Sequence, residues 1–226
     1  MENAVISRRV SDSKLEKIMQ QNFNTVYNIF GMKYSRCYDR ERQLLGIDIV
    51  ARNNNKDYFI DEKCATDCWY RDLSTFAFEL SYELCDKKTQ TRTGNRVPGW
   101  FVNPNVKTDI YALGYVRANT KEDFLENKIF RFEVVFVKKK RLQEYIEKHI
   151  GGVDKLQCLD VKIREDAKNG TLKPYGSNGK NKYRISVANG IYVCWSPNLA
   201  ESPVNVIIDK KILKKIAFRS IVVNIE

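Results

Sequence analysis

The sequence predicts an α/β fold in which a mixed sheet of about five strands is flanked by helices. Three observations predict it. Apolar residues recur at helical spacing over residues 14–30, short runs rich in Ile, Val, Phe and Tyr follow, and helical spacing returns over 140–150. We expect residues 1–150 to form this α/β core and residues 151–226 to form a basic, β-rich C-terminal extension. Because no long linker separates the two, the extension should pack on the core within one structural domain.

The first predicted helix, over residues 14–30, has a local start signal and a local stop signal. Ser11, Asp12 and Ser13 are residue types that cap helix N-termini, and Gly31 is a residue type that ends helices. Further predicted elements of the core are strands at 32–38, 109–116 and 130–138 and a helix at 140–150, and a helix at 153–167 begins the extension.

A hairpin and a second helix are predicted next along the chain. Asparagines at 53–55 lie between strand-like runs at 46–52 and 58–65 and predict a turn, so the two runs should pair as an antiparallel hairpin. The segment 73–84 is predicted to form a helix, followed by a basic polar loop over 86–98.

The C-terminal third carries a second hairpin signal. Asn189 and Gly190 separate strand-like runs at 183–187 and 191–195. A strand is predicted at 204–208 and a short basic helix at 209–217.

Composition indicates a folded protein of a reducing compartment. Of the 226 residues, 43% are hydrophobic and 12% aromatic, which excludes a disordered chain. No apolar run reaches the roughly 18 residues of a membrane span. Because the N-terminal segment also lacks the apolar stretch of a signal peptide, we expect a cytoplasmic protein that does not engage a membrane. The six cysteines show no disulfide spacing and are expected to be thiols.

The charge of the chain is unevenly distributed. Residues 1–130 carry 20 basic and 18 acidic residues, whereas residues 131–226 carry 19 and 10. A polyanion such as nucleic acid would therefore be attracted mainly by the C-terminal part. Solubility alone is the alternative explanation of a basic surface.

Three residues of the predicted hairpin can form a site. Asp61 and Lys63 are two positions apart on a strand and therefore share a face, and Asp48 on the neighbouring strand can approach Asp61. Two adjacent carboxylates repel and are most readily kept ionised by a cation between them. Mg²⁺ suits oxygen ligands of this kind, with Mn²⁺ as a possible substitute. A lysine beside such an ion can orient water or stabilise an oxyanion during phosphodiester hydrolysis.

The pattern Asp48 … Asp61-Glu62-Lys63 resembles the D…(D/E)-x-K signature of the PD-(D/E)xK nuclease superfamily, which includes restriction endonucleases and Holliday-junction resolvases. The order of predicted elements over residues 14–137 is similar to that superfamily as well. The resemblance implies a restriction-endonuclease-like core, metal ligation by Asp48 and Asp61, and a catalytic role for Lys63.

Additional acids are candidates by the same resemblance. Some members add a metal ligand from the first helix, here Glu16, whose alternative is an ordinary solvent-facing acid. Others place a functional polar residue on the helix after the lysine, where Glu79 is the first candidate and Glu83 the second. Glu62 occupies a position where an apolar residue is more usual. A strand register shifted by one residue, with Lys63 turned away, therefore stays open.

Nucleic-acid contacts are predicted from charge and aromatic content. The loop over 86–98 is basic and follows the predicted site, and Trp100 could stack on a base, although aromatic side chains more often belong to a core. The candidates are Arg92, Arg96, Trp100, Lys107, Lys180 and Lys182.

These features predict a metal-dependent nuclease that hydrolyses phosphodiester bonds, with DNA favoured over RNA as the expected partner, and of the restriction, repair or recombination endonuclease type. A homodimer would allow both strands of a duplex to be cut. Two alternatives remain: a catalytically inactive nucleic-acid-binding protein on the same fold, and a protein–protein regulatory module.

Overall fold

Two β-sheets and six α-helices make up the part of the chain that the computed structural model describes, residues 8–53, 55–86, 88–89, 91–175 and 182–225. The strands are β1 (Tyr34–Arg36), β2 (Ile49–Asn53), β3 (Lys56–Cys64), β4 (Thr75–Cys85), β5 (Arg92–Pro98), β6 (Ile110–Arg117), β7 (Arg131–Lys138), β8 (Tyr183–Ala188), β9 (Ile191–Trp195), β10 (Val204–Asp209) and β11 (Arg219–Asn224). The helices are α1 (Arg8–Ile29), α2 (Arg40–Leu44), α3 (Lys121–Leu125), α4 (Lys139–Ile150), α5 (Gly152–Lys168) and α6 (Lys210–Ile216).

The first sheet is mixed and has six strands in the order β1-β2-β3-β6-β7-β11. Strands β3 and β6 are parallel, and every other neighbouring pair in this sheet is antiparallel. The predicted hairpin is confirmed as β2–β3, in which Ile49 pairs with Ile60 and Asn53 with Lys56. The α/β class and the mixed sheet are thus confirmed, with one strand more than expected.

The second sheet is antiparallel, in the order β5-β4-β10-β9-β8. Its presence corrects one prediction, because the segment 73–84 forms strand β4 and not a helix. Phe76, Phe78 and Leu80 are buried with a period of two and face the core. Leu73, Phe76, Leu80 and Leu84 also satisfy helical spacing, so periodicity alone does not distinguish the two structures. The segment is a strand because it pairs with β10 on one side and with β5 on the other.

The first sheet is covered on both faces. Ile110 and Ala112 of β6 contact the cluster built on α1, whereas Tyr111 and Leu113 contact the cluster formed with the second sheet and helices α4 to α6. Each fully buried large apolar side chain contributes about 1.5–3 kcal/mol relative to an exposed one. Because both faces are buried, β6 reads as an almost continuous apolar run.

The C-terminal third contributes to both sheets. Strands β8, β9 and β10 belong to the second sheet, and β11 pairs with β7 of the first. Helix α6 is anchored by Lys210, whose ammonium donates to the buried Glu133 carboxylate of β7 at 3.0 Å. Residues 151–226 therefore complete the sheets that the first 150 residues begin.

Local boundaries differ in a few places from the sequence-based expectations. Helix α1 begins at Arg8, earlier than residues 11–13 predicted, and strand β5 forms within the expected loop over 86–98. No helix in the described part of the chain is long and apolar enough to cross a membrane. All six cysteines are free thiols.

Candidate functional site

Asp48 and Asp61 lie on adjoining parts of the β2–β3 hairpin. Asp48 immediately precedes β2, and its backbone N–H donates to the Ile60 carbonyl at 3.0 Å. Its Oδ2 accepts a hydrogen bond from the Glu62 backbone N–H at 2.8 Å. The carboxylate of Asp48 is thereby fixed beside β3, within electrostatic range of Asp61.

The register of β3 is set by Glu62. Its carboxylate accepts hydrogen bonds from Arg36 at 2.7 and 3.0 Å and from the Tyr27 hydroxyl at 2.8 Å. Tyr27 belongs to α1, so Glu62 occupies the α1 face of the sheet. Asp61 and Lys63 consequently share the opposite face, which excludes the register shifted by one residue.

Asp61 is an acid in an environment that opposes its charge. Only 1% of its side chain is exposed, and its Oδ2 atom is buried without a hydrogen-bond partner. Burial raises the pKa of Asp61 to about 7; the Lys63 ammonium opposes this shift, and the negative charge of Asp48 adds to it. The carboxyl group therefore titrates near neutral pH, where a small change in its surroundings alters its charge.

Lys63 provides the cation of the site. Its ammonium donates a hydrogen bond to Oδ1 of Asp61, and its side chain is 30% exposed. Burial lowers the pKa of Lys63, but the charges of Asp61 and Asp48 outweigh it and the net pKa lies above the ordinary value. The ammonium also lies 5.3 Å from the centroid of the Trp100 ring. Lys63 is thus a positioned, positively charged donor that still reaches solvent.

Glu79 reaches this site from a strand rather than from the predicted helix. It lies on β4, and its charge is within electrostatic range of Lys63. Burial raises the pKa of Glu79 to about 7, the charge of Glu201 adds to the shift, and a backbone hydrogen bond from Trp100 and the charge of Lys63 oppose it. The prediction that Glu79 follows Lys63 on a helix is wrong, although the residue does approach Lys63.

Glu83 belongs to another network. Its carboxylate lies 3.5 Å from the Arg164 guanidinium and 4.0 Å from that of Arg92. It is therefore engaged in holding α5 and β5 to β4, and the expectation that it lies on a helix is also wrong.

Glu16 of α1 lines a groove together with the hairpin residues. The groove has a volume of about 370 Å³ and is lined by Glu16 and Gln20 on one side and Asp48, Glu62 and Lys63 on the other. Glu16 is exposed and accepts a hydrogen bond from Gln20 Nε2 at 3.1 Å. Its placement permits a contribution to the site, and the same exposure fits a solvent-facing acid.

Two residues near Asp61 were not identified from the sequence. Tyr111 is paired with Asp61 across β3 and β6, and its hydroxyl is buried without a hydrogen-bond partner. Burial lowers the pKa of Lys139, against the charges of Asp61 and Asp109. The only local signals were a hydroxyl-bearing residue in an apolar strand and a lysine at the point where a buried strand ends.

The predicted nucleic-acid contacts are dispersed, and Arg92 is already engaged. Its guanidinium donates to the Ala200 and Leu199 carbonyls at 3.0 and 2.8 Å and also to the carbonyl of Pro197. Arg92 thereby fastens β5 to the turn before β10, which leaves little of it for a ligand.

Trp100 is part of an aromatic cluster beside Lys63. Its ring centroid lies 5.6 Å from that of Phe78 and 5.4 Å from that of Tyr111, and it is half-buried. Arg96, Lys107 and Lys182 are exposed and available to a polyanion. Lys180 lies outside the described residues.

The site fits a divalent cation that is held by two carboxylates. Asp61 Oδ2 is a buried oxygen without a partner, beside a second carboxylate at Asp48. Mg²⁺ commonly takes one or two carboxylates and fills its other positions with water and substrate phosphate. No group of three or more His, Cys, Asp and Glu side chains arranged for a metal occurs in the described part of the chain, so the fit depends on Asp48 and Asp61.

The chain was compared with known protein families, curated proteins and solved structures. No protein-family description, curated protein or solved structure matches the chain.

Proposed function

We propose that this protein is a metal-dependent nuclease that hydrolyses phosphodiester bonds, with Asp48, Asp61 and Lys63 as its active site. The observation that supports this most is the state of Asp61. A carboxyl group that is 1% exposed, lacks a partner for Oδ2 and lies between Asp48 and Lys63 is costly to the fold. Such groups are concentrated at functional sites.

Each residue type then has a chemical role. Asp61 and Asp48 would hold Mg²⁺, which supplies charge neutralisation at the scissile phosphate and lowers the pKa of a bound water. Lys63 presents an ammonium that stabilises the oxyanion developing on phosphorus. Because Lys63 and Asp61 share one face of β3, the substrate phosphate would bind over that face.

Glu79 and Glu16 have supporting roles in this proposal. Glu79 acts on Lys63 through its charge, and protonation of Glu79 near neutral pH would remove that charge from the site. Glu16 lines the same groove as Asp48 and would hold a water of the metal shell.

The restriction-endonuclease-like core is part of the same proposal. An N-terminal helix packed on a mixed sheet, an antiparallel β2–β3 hairpin bearing Asp48 and Asp61-x-Lys63, and a following strand beside β3 support it. The departure is β4, which stands where the resemblance implies a helix.

DNA is the proposed substrate, and a restriction, repair or recombination endonuclease of the cytoplasm is the proposed setting. The basic excess of residues 131–226 and the exposed Arg96, Lys107 and Lys182 support a polyanionic partner. Cutting both strands of a duplex with one site per chain would require a homodimer.

The test is cleavage of plasmid, linear duplex, single-stranded DNA and RNA with Mg²⁺ or Mn²⁺. Wild type is compared with Lys63→Ala and Asp61→Asn, and with Lys56→Ala, an exposed lysine at the other end of the same strand. We expect metal-dependent cleavage that both site variants reduce at least about 100-fold, as single catalytic groups commonly do. Lys56→Ala should cleave as wild type does.

Equal cleavage by wild type and Lys63→Ala would place the activity elsewhere and contradict the proposal. Salt-sensitive DNA binding without cleavage on any substrate would instead favour the inactive nucleic-acid-binding alternative. Thermal unfolding of each variant, run in parallel, shows that a loss of activity is not a loss of fold.

A further inference from the structure

A second and larger cavity lies on the α1 face of the first sheet. It has a volume of about 710 Å³, within the range of roughly 300–1,000 Å³ typical of small-molecule sites. Phe30, directly after α1, contributes to one wall, and Ile60 and Ile110 line its base. Ile60 precedes Asp61 on β3 and therefore faces the other side of the sheet, so this cavity is separate from the candidate active site.

Aromatic rings form much of this cavity. The ring centroid of Phe136 lies 5.8 Å from that of Phe30 and 6.1 Å from that of Phe218, and Tyr58 contributes a further ring. Phe218 is 43% exposed, although it is a large apolar residue. Aromatic faces of this kind are suited to stacking on a planar ring such as a nucleobase.

Cations surround these rings. The Arg219 guanidinium lies 3.8 Å from the Phe30 centroid, and the Lys138 ammonium lies 5.8 Å from that of Phe218. Lys33 lines the cavity with them, and within the described part of the chain none of the three forms an ion pair. Arg52 also contributes, but Asp57 holds its guanidinium at 2.7 and 3.1 Å.

The lining has the charge of an anion site. None of the described residues that line the cavity is acidic. Asn53 and Asn55, at the β2–β3 turn, add side-chain amides that both donate and accept hydrogen bonds. These asparagines and the three cations are exposed, so they can be reached by a ligand from solvent. A ligand that is both planar and anionic would use the rings, the amides and the positive charges together.

We propose that this cavity binds a free nucleoside phosphate. The base lies against the exposed ring of Phe218, with Phe136 behind it, and the amides of Asn53 and Asn55 contact its polar edge. The phosphate lies on Lys33, Lys138 and Arg219. This site does not depend on the proposed nuclease activity, because it lies on the opposite face of β3 from Asp61 and Lys63.

Isothermal titration calorimetry tests the proposal with four ribonucleoside 5′-monophosphates, with adenosine, and with inorganic phosphate. We expect at least one monophosphate to bind, and adenosine or phosphate alone to bind at least about tenfold more weakly, because each retains only half of the contacts. Asp61→Asn should leave the affinity unchanged, which separates this site from the nuclease site.

Variants of the lining locate the binding. Phe218→Ala should weaken binding about fivefold or more through lost stacking, and Lys138→Ala about tenfold through lost charge. Tyr70→Ala and Lys148→Ala are matched controls, because Tyr70 is 55% exposed and Lys148 is exposed, and neither residue lines the cavity. Both controls should bind as wild type does.

Failure of all four monophosphates to bind at millimolar concentration would overturn the proposal. Binding of a short single-stranded oligonucleotide in the absence of monophosphate binding would also overturn it, because the occupant would then be a nucleic-acid strand. Monophosphate binding that Phe218→Ala and Lys138→Ala leave unchanged would place the ligand elsewhere.

Discussion

Arg36 and Glu62 form a buried ion pair on the face of β3 opposite Asp61, with Nη1 donating to Oε2 at 2.7 Å. Their side chains are 6% and 7% exposed, and the Tyr27 hydroxyl completes the contact from α1. Since neighbouring side chains on a strand point to opposite faces, this pair fixes Asp61 and Lys63 on the other side. A charged residue at the middle of the Asp61–Lys63 motif thus has a structural role that orients the candidate site.

The first prediction concerns this ion pair. Glu62→Gln leaves the Arg36 cation buried without a compensating charge, and removing one member of a buried pair costs about 3–5 kcal/mol. At about pH 5, Lys63→Ala should change the free energy of unfolding far less, because Asp61 has a pKa of about 7 and is then protonated, so no uncompensated charge stays buried. Urea denaturation of both variants measures the difference. Equal stability losses would show that Glu62 is not the structural member of the motif.

The second prediction concerns the titration of Asp61. Its pKa is about 7 in the folded protein, above the ordinary value of 3.8, so the folded state disfavours the charged form. Stability is consequently lost as pH rises from the ordinary value toward about 7. Asp61→Asn removes this penalty. Its free energy of unfolding relative to wild type should rise by about 2–3 kcal/mol between about pH 5 and about pH 8.

Urea denaturation of wild type and Asp61→Asn at several pH values, in the presence of a chelator, measures this difference. A difference that is independent of pH would show that Asp61 ionises normally. Mg²⁺ should stabilise wild type more at about pH 8 than at about pH 5 and should not stabilise Asp61→Asn, since ligand binding to the folded state raises its stability.

The third prediction concerns the turn that leads to Asp48. Gly46 has a φ of +69°, and a Cβ there would lie 2.5 Å from Thr108 Oγ1 and 2.7 Å from Val106 Cγ1. Gly46→Ala therefore incurs about 1–2 kcal/mol for the left-handed backbone and a further 1–3 kcal/mol, approximately, for the overlap. Because Asp48 is two residues away, cleavage should also decrease.

Gly31→Ala is the matched control for this glycine. Gly31 has a φ of +59° but no atom within 4 Å of the added Cβ, so the substitution incurs the backbone cost alone. In thermal unfolding, the melting temperature of Gly46→Ala should be lower than that of Gly31→Ala. The reverse order would contradict the close packing of Gly46 against Thr108.

The fourth prediction concerns the attachment of α5 to the second sheet. The Arg164 guanidinium is 3% exposed and bonds to Asp160, to Ser81 of β4 and to the Ser202 carbonyl, each at 3.1 Å. Arg164→Ala leaves these polar groups buried without a donor and should cost about 3–5 kcal/mol.

Lys162→Ala on the same helix serves as the comparison. Its ammonium pairs with Asp166 at 2.8 Å, but its side chain is 60% exposed, and such pairs contribute about 0–1 kcal/mol. The midpoint of guanidinium denaturation should be clearly lower for Arg164→Ala than for Lys162→Ala. Similar midpoints would mean that the Arg164 network does not hold residues 151–226 to the remainder of the protein.

The sequence by itself determined the elements whose signals are local. The helical period of α1, the asparagine turn between β2 and β3, and the Asn189–Gly190 turn between β8 and β9 each depend on residues near one another in the chain. The same holds for the shared face of Asp61 and Lys63, because strand alternation requires only their spacing of two. Which face they share was decided by the contacts of Glu62 with Arg36 and Tyr27.

Only the tertiary structure decided the remainder. Residues 73–84 satisfy both helical and strand spacing, and pairing with β10, more than a hundred residues later, makes them a strand. That pairing brings Glu79 toward Lys63 from a second sheet. Likewise, the pKa of Asp61 depends on burial beneath elements distant in sequence. Local pattern fixes which side chains share a face, whereas long-range packing determines which face that is, what surrounds each side chain and therefore its chemistry.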